Sequence, residues 1–422
     1  MTTTVAPPAE PTTSAPATGR IQQLAYTFAG GLPRTFWTLF AGQLINRLGN
    51  MVLPMLVFYL GAKGLSDGQI GIVHGALGAG ALVSHPLGGW LADKYGRRTT
   101  LIVGLVSTSA ALIFVGSVSG VPMLMLAAAI FGAVSDIYRP AASALVTDVV
   151  PAPLRAKAFG LIYWAINLGF AISTTAAGFL AAHGYWLLFA VDAGAMAAFA
   201  LVIIFGIKND SRPDATTTPT VSYLKVLTDR LLLMFTALNL AAAMIYSQAY
   251  VTLPLAMRDD GLSTAKYGMV IALNGVLIIV LQPLLTPWLS KFKPMHMLAV
   301  SWLGMGTGMA LTGLAETTAE YAATIAVWTL GEVAAAGFVP AMIASIAPAA
   351  ARARYQGIAG WSWSAAYLFG PLLGANTYAF FGPAALWWSV LVLAVTAATG
   401  AFLLAPAMTQ RAQQSEAEMQ LS

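Results

Sequence analysis

Apolar stretches of about 20 residues recur along almost the whole of this 422-residue chain. A helix of about 20 apolar residues is long enough to cross the hydrocarbon core of a bilayer. A sliding window of that length predicts twelve such spans, near 36–60, 68–91, 98–118, 121–147, 156–182, 185–206, 231–256, 267–289, 295–314, 319–347, 355–380 and 383–405. The predicted fold class is therefore an all-α polytopic membrane protein with 12 transmembrane helices.

Composition excludes most other classes of protein. The chain is 58% hydrophobic and 9% charged, whereas soluble domains are about 25% charged. Soluble enzymes, nucleic-acid-binding proteins and disordered chains are excluded on this ground. The sequence has no cysteine, its four histidines are scattered, and it has no Walker-type phosphate loop. We therefore predict no metal site, no cofactor, no ATP-driven step and no enzymatic activity.

One long polar segment, 207–230, divides the spans into six and six. The first 20 residues are rich in proline, alanine and threonine and lack an apolar core, which indicates a disordered tail and not a signal peptide. The predicted organisation is a cytoplasmic tail at 1–35, a six-helix bundle at 36–206, a cytoplasmic linker at 207–230, a second bundle at 231–406 and a cytoplasmic tail at 407–422.

Basic residues are concentrated on one side of the predicted membrane. Of the 21 lysines and arginines, 16 fall on the side that carries both tails and the loops after the even-numbered spans. Three fall on the other side, and two lie within spans. Because cytoplasmic loops carry the excess of Lys and Arg, both termini are predicted to be cytoplasmic.

Short motifs recur about 200 residues apart, in the same order, in the two halves of the chain. They are Gly-Leu-Ser at 64–66 and 261–263, Pro140 and Pro340, and Arg-Ala-Lys at 155–157 against Arg-Ala-Arg at 352–354. Six and six spans in parallel repeat predict two halves related by a pseudo-two-fold axis, with a substrate site between them.

Residues 88–98, between spans 2 and 3, read GGWLADKYGRR. This segment resembles the signature loop of the major facilitator superfamily, and with the spans and the repeat the resemblance covers about residues 36–405. The segments YRPAASALVTDVVP at 138–151 and GEVAAAGFVPAMIASIAP at 331–348 resemble the bacterial drug:proton antiporter branch. The resemblance implies a monomeric transporter of the bacterial inner membrane whose partners are lipid, protons and a small-molecule substrate, not nucleic acid.

The resemblance also implies a latch that holds the halves together on the cytoplasmic side. The matching positions are, in chain order, Gly89, Asp93, Gly96, Arg97, Arg98 and Asp148, with Asp148 at the foot of span 4 as the partner of Arg97. The corresponding loop of the second half, TPWLSKFKP at 286–294, has no acid, which assigns the latch to the first half. The alternative is that these basic residues only set the topology.

A polar stripe follows one face of span 1. Gln43, Asn46, Arg47 and Asn50 recur at helical spacing in an otherwise apolar segment. An ionisable group inside the bilayer is costly and persists mainly where it faces a cavity or a partner. The stripe is therefore predicted to line the central cavity, and the alternative is that Arg47 only neutralises a nearby acid.

Two acids are candidates for binding a coupling proton. Asp136 in span 4 shares a face with Arg139 and can pair with it, or with Arg47 across helices. It can carry the proton or serve only as a structural ion pair. Glu332 in span 10 has no basic residue in its own span, so it is either protonated among apolar groups or faces a cavity. Asp192 in span 6 is predicted to serve packing or interfacial hydration.

Tyr246, Tyr250 and Trp361 are the aromatic candidates for the cavity, where they would suit flat, lipophilic or cationic compounds. The alternative for them is packing and the interfacial belt. The leading prediction is export of small lipophilic or cationic compounds in exchange for protons, by alternating access. Span 5 carries Ser173 and Thr174 where this branch usually has Gly-Pro, so proton-coupled uptake, or uniport, of a small metabolite stays open.

Overall fold

Helices joined by short turns make up the computed structural model, which describes residues 30–208 and 222–421. Each half of the chain packs around its own hydrophobic core. The helices of the first half are Arg34–Gly49 and Val52–Ala62 (span 1), Asp67–Tyr95 (span 2), Arg97–Ser117 (span 3), Val121–Ser135 and Tyr138–Val149 (span 4), Arg155–Ala182 (span 5) and Trp186–Gly206 (span 6).

The second half repeats this order after a short helix, Tyr223–Leu227, in the linker. Its helices are Arg230–Asp259 (span 7), Thr264–Leu289 (span 8), Pro294–Ala310 (span 9), Thr318–Ala335 and Phe338–Ile346 (span 10) and Arg352–Leu421. The last contains spans 11 and 12, which meet at a turn where Gly382 has φ 84°. Positive φ strains any side chain with a Cβ, so glycine suits this turn.

The twelve predicted spans are confirmed. Within the described residues, nine helical stretches are long and apolar enough to cross a membrane, and the last of them, Ala349–Ser415, holds two crossings. Span 2 and the pair of short helices in span 1 complete the set. The all-α fold in two six-helix halves is the one that the sequence predicted.

Spans 1, 4 and 10, predicted as continuous helices, are each broken in two. Spans 4 and 10 each break four residues before a proline. The break at Asp136 lies four residues before Pro140, and the break at Ala336 lies four residues before Pro340. A proline ring clashes with the carbonyl four residues earlier and offers it no N–H, which accounts for both breaks. Helices end at Ser135 and Ala335, 200 residues apart, so the break itself belongs to the repeat.

The break in span 1 has a different cause. Asp192, on span 6, accepts hydrogen bonds from the backbone N–H groups of Met51 (3.3 Å) and Val52 (3.2 Å). A carboxylate that accepts from the first N–H groups of a helix acts as its N-cap. Asp192 therefore caps the second helix of span 1 from a neighbouring helix.

The predicted tails and linker fall partly outside the described residues. Of the predicted tail 1–35, residues 1–29 lie outside them, and the first helix begins at Arg34. Of the linker, 209–221 lie outside them. The final helix continues through the predicted tail 407–422 as far as Leu421.

Glycines set the approach of span 2 to span 4. A Cβ at Gly80 would lie 2.1 Å from the carbonyl oxygen of Ala129, and one at Gly132 would lie 2.0 Å from that of Leu77. Small residues let membrane helices approach to backbone contact, where packing is the main source of helix association.

Replacing Gly132 by Leu should force these two helices apart and lower the thermal stability of the protein. Overpacking costs about 1–3 kcal/mol or more, and here the clash is with backbone, which cannot rotate away. Gly194→Leu is the matched control, because a Cβ at Gly194 meets nothing within 4 Å. Thermal unfolding, monitored by size-exclusion chromatography after heating, measures the stability of both variants. An equal loss of stability in the two variants would contradict this packing argument.

Candidate functional site

A cavity of about 240 Å³ lies between the two halves, at the level of the breaks in spans 4 and 10. Both break prolines, Pro140 and Pro340, lie on its wall. The first half also contributes Gln43, Arg47, His85, Arg139, Ser143, Phe159, Ile162, Tyr163 and Ile166; the second contributes Asn239, Ala336, Val339, Ile343, Gln356, Ala359, Gly360 and Trp363.

The polar stripe of span 1 divides between the cavity and the packing of the first half. Gln43 and Arg47 lie on the cavity wall. The Asn46 amide and the Arg47 guanidinium both donate to the Tyr138 hydroxyl, at 3.0 and 3.3 Å. Asn50 is half-buried at the break of span 1. Only two of the four predicted cavity residues of this stripe therefore reach the cavity.

Asp136 pairs with Arg139 and not with Arg47. The Arg139 Nε lies 2.6 Å from Asp136 Oδ1, and the backbone N–H of Asp136 donates to Ser84 Oγ at 2.9 Å. The Arg139 side chain is 43% exposed, on the cavity wall. The pair joins residues three apart on span 4, so it bridges the helix break within one half.

Glu332 lies at the boundary between the halves and has neutral partners. It is 5% exposed. Its carboxylate accepts hydrogen bonds from the Tyr163 hydroxyl, on span 5 of the other half, and from Asn274 Nδ2 on span 8, at 2.8 Å. Among the residues that the structure describes, no arginine, lysine or histidine forms an ion pair with it. A proton gained or lost here changes the charge of the site with no adjacent cation to compensate.

Five charged residues form a latch at the end of the bundle that carries most of the basic residues: Asp93, Arg97, Asp148, Arg352 and Arg354. Arg97 donates to Asp93 at 3.0 Å and to Asp148 at 3.1 Å. Arg352 of the second half reaches Asp148 at 2.6 Å, and Arg354 reaches Asp93 at 3.5 Å. Each aspartate therefore joins an arginine of its own half to an arginine of the other.

Backbone contacts complete the latch. Asp93 accepts from the backbone N–H groups of Ala353 (3.3 Å) and Arg354 (3.0 Å), at the N-terminus of span 11, where the helix dipole favours a carboxylate. A Cβ at Gly89 would lie 2.7 Å from the Ala353 carbonyl oxygen, so this close approach requires glycine. Gly96 has φ 98° in the turn between spans 2 and 3.

Burial raises the pKa of the Asp93 carboxyl to about 6, against the opposing pull of Arg97, Arg354 and the two backbone N–H groups. The carboxyl lies beyond the apolar part of span 2, in the signature loop. The two arginines and the two backbone N–H groups favour the ionised form, which is the form that makes the ion pairs of the latch.

The sequence identified the acids of the latch but missed two of its three arginines. Arg352 and Arg354 come from the second half; the only signal was that Arg-Ala-Arg at 352–354 matches Arg-Ala-Lys at 155–157 in the repeat. The acids belong to the first half and their ion pairs cross to the second, so these charges join the two halves. Arg98 lies outside this network and donates to the carbonyl oxygens of Ile204 (3.0 Å) and Ile207 (2.6 Å), at the end of span 6.

The aromatic candidates lie around the cavity and not on its wall. The Tyr246 and Tyr250 hydroxyls are hydrogen-bonded at 3.0 Å, and Tyr250 is 42% exposed. The Trp361 indole donates to the Leu82 carbonyl oxygen at 2.6 Å, across the halves. Trp363, two residues on, lines the cavity and packs against Tyr246 with ring centroids 5.4 Å apart.

His85, which the sequence did not single out, also lines the cavity. Its ring lies against Gly360 of span 11, where a Cβ would come within 2.3 Å of it, and its Nδ1 is 3.4 Å from Ser364 Oγ.

The hydrogen bonds between the halves cluster between the latch and the level of His85. One of them is donated by the Trp164 indole to the Ile279 carbonyl oxygen, at 2.9 Å. The cavity is therefore closed from the latch end.

Comparisons with known proteins agree with this architecture. The family model described as Major Facilitator Superfamily matches residues 39–335 and 239–420. The uncharacterized MFS-type transporter YttB of Bacillus subtilis is 28% identical over 375 residues, which cover 86% of this chain and 93% of YttB. A Na(+), Li(+), K(+)/H(+) antiporter of Planococcus maritimus is 22% identical over 389 residues, 84% of this chain and 90% of the antiporter.

Among solved structures, the human organic anion transporter MFSD10 (TETRAN) superposes with a TM-score of 0.73. The match covers 87% of this chain and 99% of that one at 14% identity. A likeness at this identity shows a common fold and carries no information on substrate.

Proposed function

The chain belongs to the major facilitator superfamily and is a membrane transporter, not an enzyme, and from this premise we propose that it exports small lipophilic compounds in exchange for protons by alternating access. The single observation that carries the proposal is the position of Glu332. A buried carboxyl that forms an ion pair with no cation among the described residues lies at the boundary of the halves, hydrogen-bonded to Tyr163 on the cavity wall.

Alternating access requires a substrate site between the halves and a seal that can be made and broken. The cavity takes its wall from both halves, and the latch joins the halves at one end only. With the latch end in the cytoplasm, as its lysines and arginines indicate, a closed latch is the arrangement that an outward-facing state of the transport cycle requires. Opening the latch while the opposite ends close would expose the cavity to the cytoplasm.

Glu332 couples the proton to this movement. The hydrogen bond from Tyr163 crosses from one half to the other, so separation of the halves at this level removes a donor from the carboxylate. An ionised carboxylate that loses a hydrogen bond in a dry site is destabilised by on the order of several kcal/mol, whereas the protonated form is not. Protonation of Glu332 therefore lowers the cost of rearranging the halves.

Exchange, and therefore export, is the preferred direction for two reasons. The segments 138–151 and 331–348 resemble the drug:proton antiporter branch, and one relative that matches most of the chain is named as a cation/proton antiporter. Proton-coupled uptake of a small metabolite is the second candidate. It is favoured by Ser173 and Thr174, which replace the Gly-Pro of that branch in span 5.

The test is a pH-gradient assay in inverted vesicles with an acidic lumen. Lipophilic cations, neutral compounds and anions are added outside, and the lumenal pH is followed with a dye. Exchange predicts that a substrate dissipates the gradient, because each molecule entering the lumen releases protons. Co-transport predicts further acidification, and a compound that accumulates in the lumen without any proton movement would overturn proton coupling altogether.

A further inference from the structure

We infer that the central cavity recognises an acidic group, so that the substrate is a small lipophilic anion such as an aromatic carboxylate. This inference rests on the proposed transport function and specifies its substrate class. It departs from the cationic substrates that the sequence suggested, and it holds for either direction of proton coupling.

The charges on the cavity wall have one sign. Arg47 and Arg139 are both on the wall, and within the described residues no aspartate or glutamate is. Asp136, just behind the wall, neutralises one of the two guanidinium groups. Asp192 on span 6 also attracts Arg47, but it accepts its hydrogen bonds from the backbone N–H groups of Met51 and Val52, so the wall itself keeps one positive charge. A charge in a confined site of low dielectric attracts an ion of opposite sign far more strongly than it would in water.

Arg47 carries that excess charge, and its hydrogen-bonding capacity is not used up. It is 8% exposed, its one hydrogen bond through Nη2 goes to the neutral Tyr138 hydroxyl, and its Nε–H has no partner among the described residues. A buried guanidinium without a carboxylate is costly, and an unmade hydrogen bond adds to that cost. Both costs are relieved if a ligand carboxylate occupies the cavity beside Arg47.

Gln43 lies one helical turn before Arg47 on the same wall, and it too has a buried polar atom without a hydrogen-bond partner among the described residues. It is 5% exposed, and the atom is its Oε1. Arginine's planar fork matches a carboxylate bidentately, whereas Gln43 Oε1 is an acceptor and would be satisfied by an O–H or N–H donor on the substrate. Two adjacent buried polar groups that lack partners are rare in folded proteins, and a bound acid accounts for Arg47 directly.

The rest of the wall suits the body of such a molecule. Phe159, Ile162 and Ile166 of span 5 face Val339, Ile343 and Trp363 of the second half across the cavity. A flat apolar body would lie between these side chains with its acidic group toward span 1. A lipophilic cation would fill the same apolar space, but it would meet Arg47 and Arg139 and no carboxylate on the wall.

The test compares three probes that share one apolar body: 2-naphthoate, 2-naphthamide and 2-naphthylmethylammonium. Binding to the purified full-length protein is measured by isothermal titration calorimetry at neutral pH. We expect 2-naphthoate to bind about tenfold or more tightly than the other two, the range for a hydrogen bond to a charged group. Arg47→Gln should remove this preference, and Arg47→Lys, which retains the charge, should keep part of it.

Arg258→Gln is the matched control, since it removes one arginine at the exposed outer end of span 7, far from the cavity. It should leave the preference for 2-naphthoate unchanged. Equal affinities, tighter binding of the ammonium probe, absence of 2-naphthoate binding, or a preference that survives Arg47→Gln would each overturn the inference. Calorimetry measures binding independently of proton movement, so the two proposals can fail separately. If 2-naphthoate binds but no compound moves protons in the vesicle assay, the proposed proton exchange fails and the inference about the substrate stands. If the ammonium probe exchanges with protons and 2-naphthoate does not bind, the inference fails and proton exchange stands.

Discussion

Replacing Glu332 by Gln is expected to reduce proton-coupled transport to background while leaving the protein folded. Glutamine has almost the same shape. Its carbonyl oxygen can accept from Asn274 and its NH2 group can donate to the Tyr163 hydroxyl oxygen, but it cannot bind or release a proton. The vesicle assay should therefore show no substrate-dependent pH change, although counterflow of a bound substrate, which needs no net proton movement, should persist.

Glu316→Gln is the control for this variant, because Glu316 is an exposed acid at the start of the same span. It should transport like the parent. If Glu332→Gln retains substrate-dependent pH changes and Asp136→Asn loses them, the proton belongs to the ion pair in span 4 and the proposal for Glu332 is wrong.

Replacing Asp93 by Asn is expected to open the latch. The side chain is fully buried between Arg97 and Arg354, and breaking a buried ion pair costs on the order of 3–5 kcal/mol. Only the latched state contains these contacts across the halves, so the cost falls on that state and shifts the equilibrium toward the open one. Every 1.4 kcal/mol is about a tenfold change in that equilibrium.

Thiol labelling measures this shift directly, because the native chain has no cysteine. A single Ser143→Cys substitution places the reporter on the cavity wall. In inverted vesicles, a membrane-impermeant maleimide should label this cysteine slowly with the native latch and about tenfold or more faster with Asp93→Asn added.

Asp229→Asn provides the matched control for the latch. Asp229 lies at the same end of the bundle, where it caps span 7 and accepts from Tyr355, but all its partners are in the second half. Asparagine is as good an N-cap as aspartate, so labelling should stay slow. Equal labelling rates for all three proteins would mean that the charges of the signature loop serve topology alone.

The spans and the two halves could be predicted from the sequence because each depends on local pattern, and the resemblance of the signature loop implied the acids of the latch. Hydropathy over 20 residues predicts a span, and the signature loop lies within eleven residues. The partners of Asp93 and Asp148 in the second half could not be predicted this way. They lie 260 and 261 residues from Asp93 and 204 residues from Asp148, and only the packing of the halves brings them close.

The cavity illustrates the same limit at a finer scale. Helical spacing placed Gln43 and Arg47 on one face with Asn46. The directions of the Asn46 and Arg47 side chains, however, depend on Tyr138, which a neighbouring helix supplies. Trp363 lies on the wall and Trp361 does not, a difference of two residues that is set by the rotation of span 11. Asp192 acts on span 1 from span 6, and no spacing within either span reveals that.

The one-sided distribution of bonds between the halves has a pharmacological consequence. Among the described residues, the ion pairs between the halves are at the latch end, so alternating access would have to bring the opposite ends together. In the proposed orientation, with the latch in the cytoplasm, those ends face the outside of the cell. An antibody fragment or a bulky inhibitor that keeps them apart would arrest the transporter without having to cross the membrane.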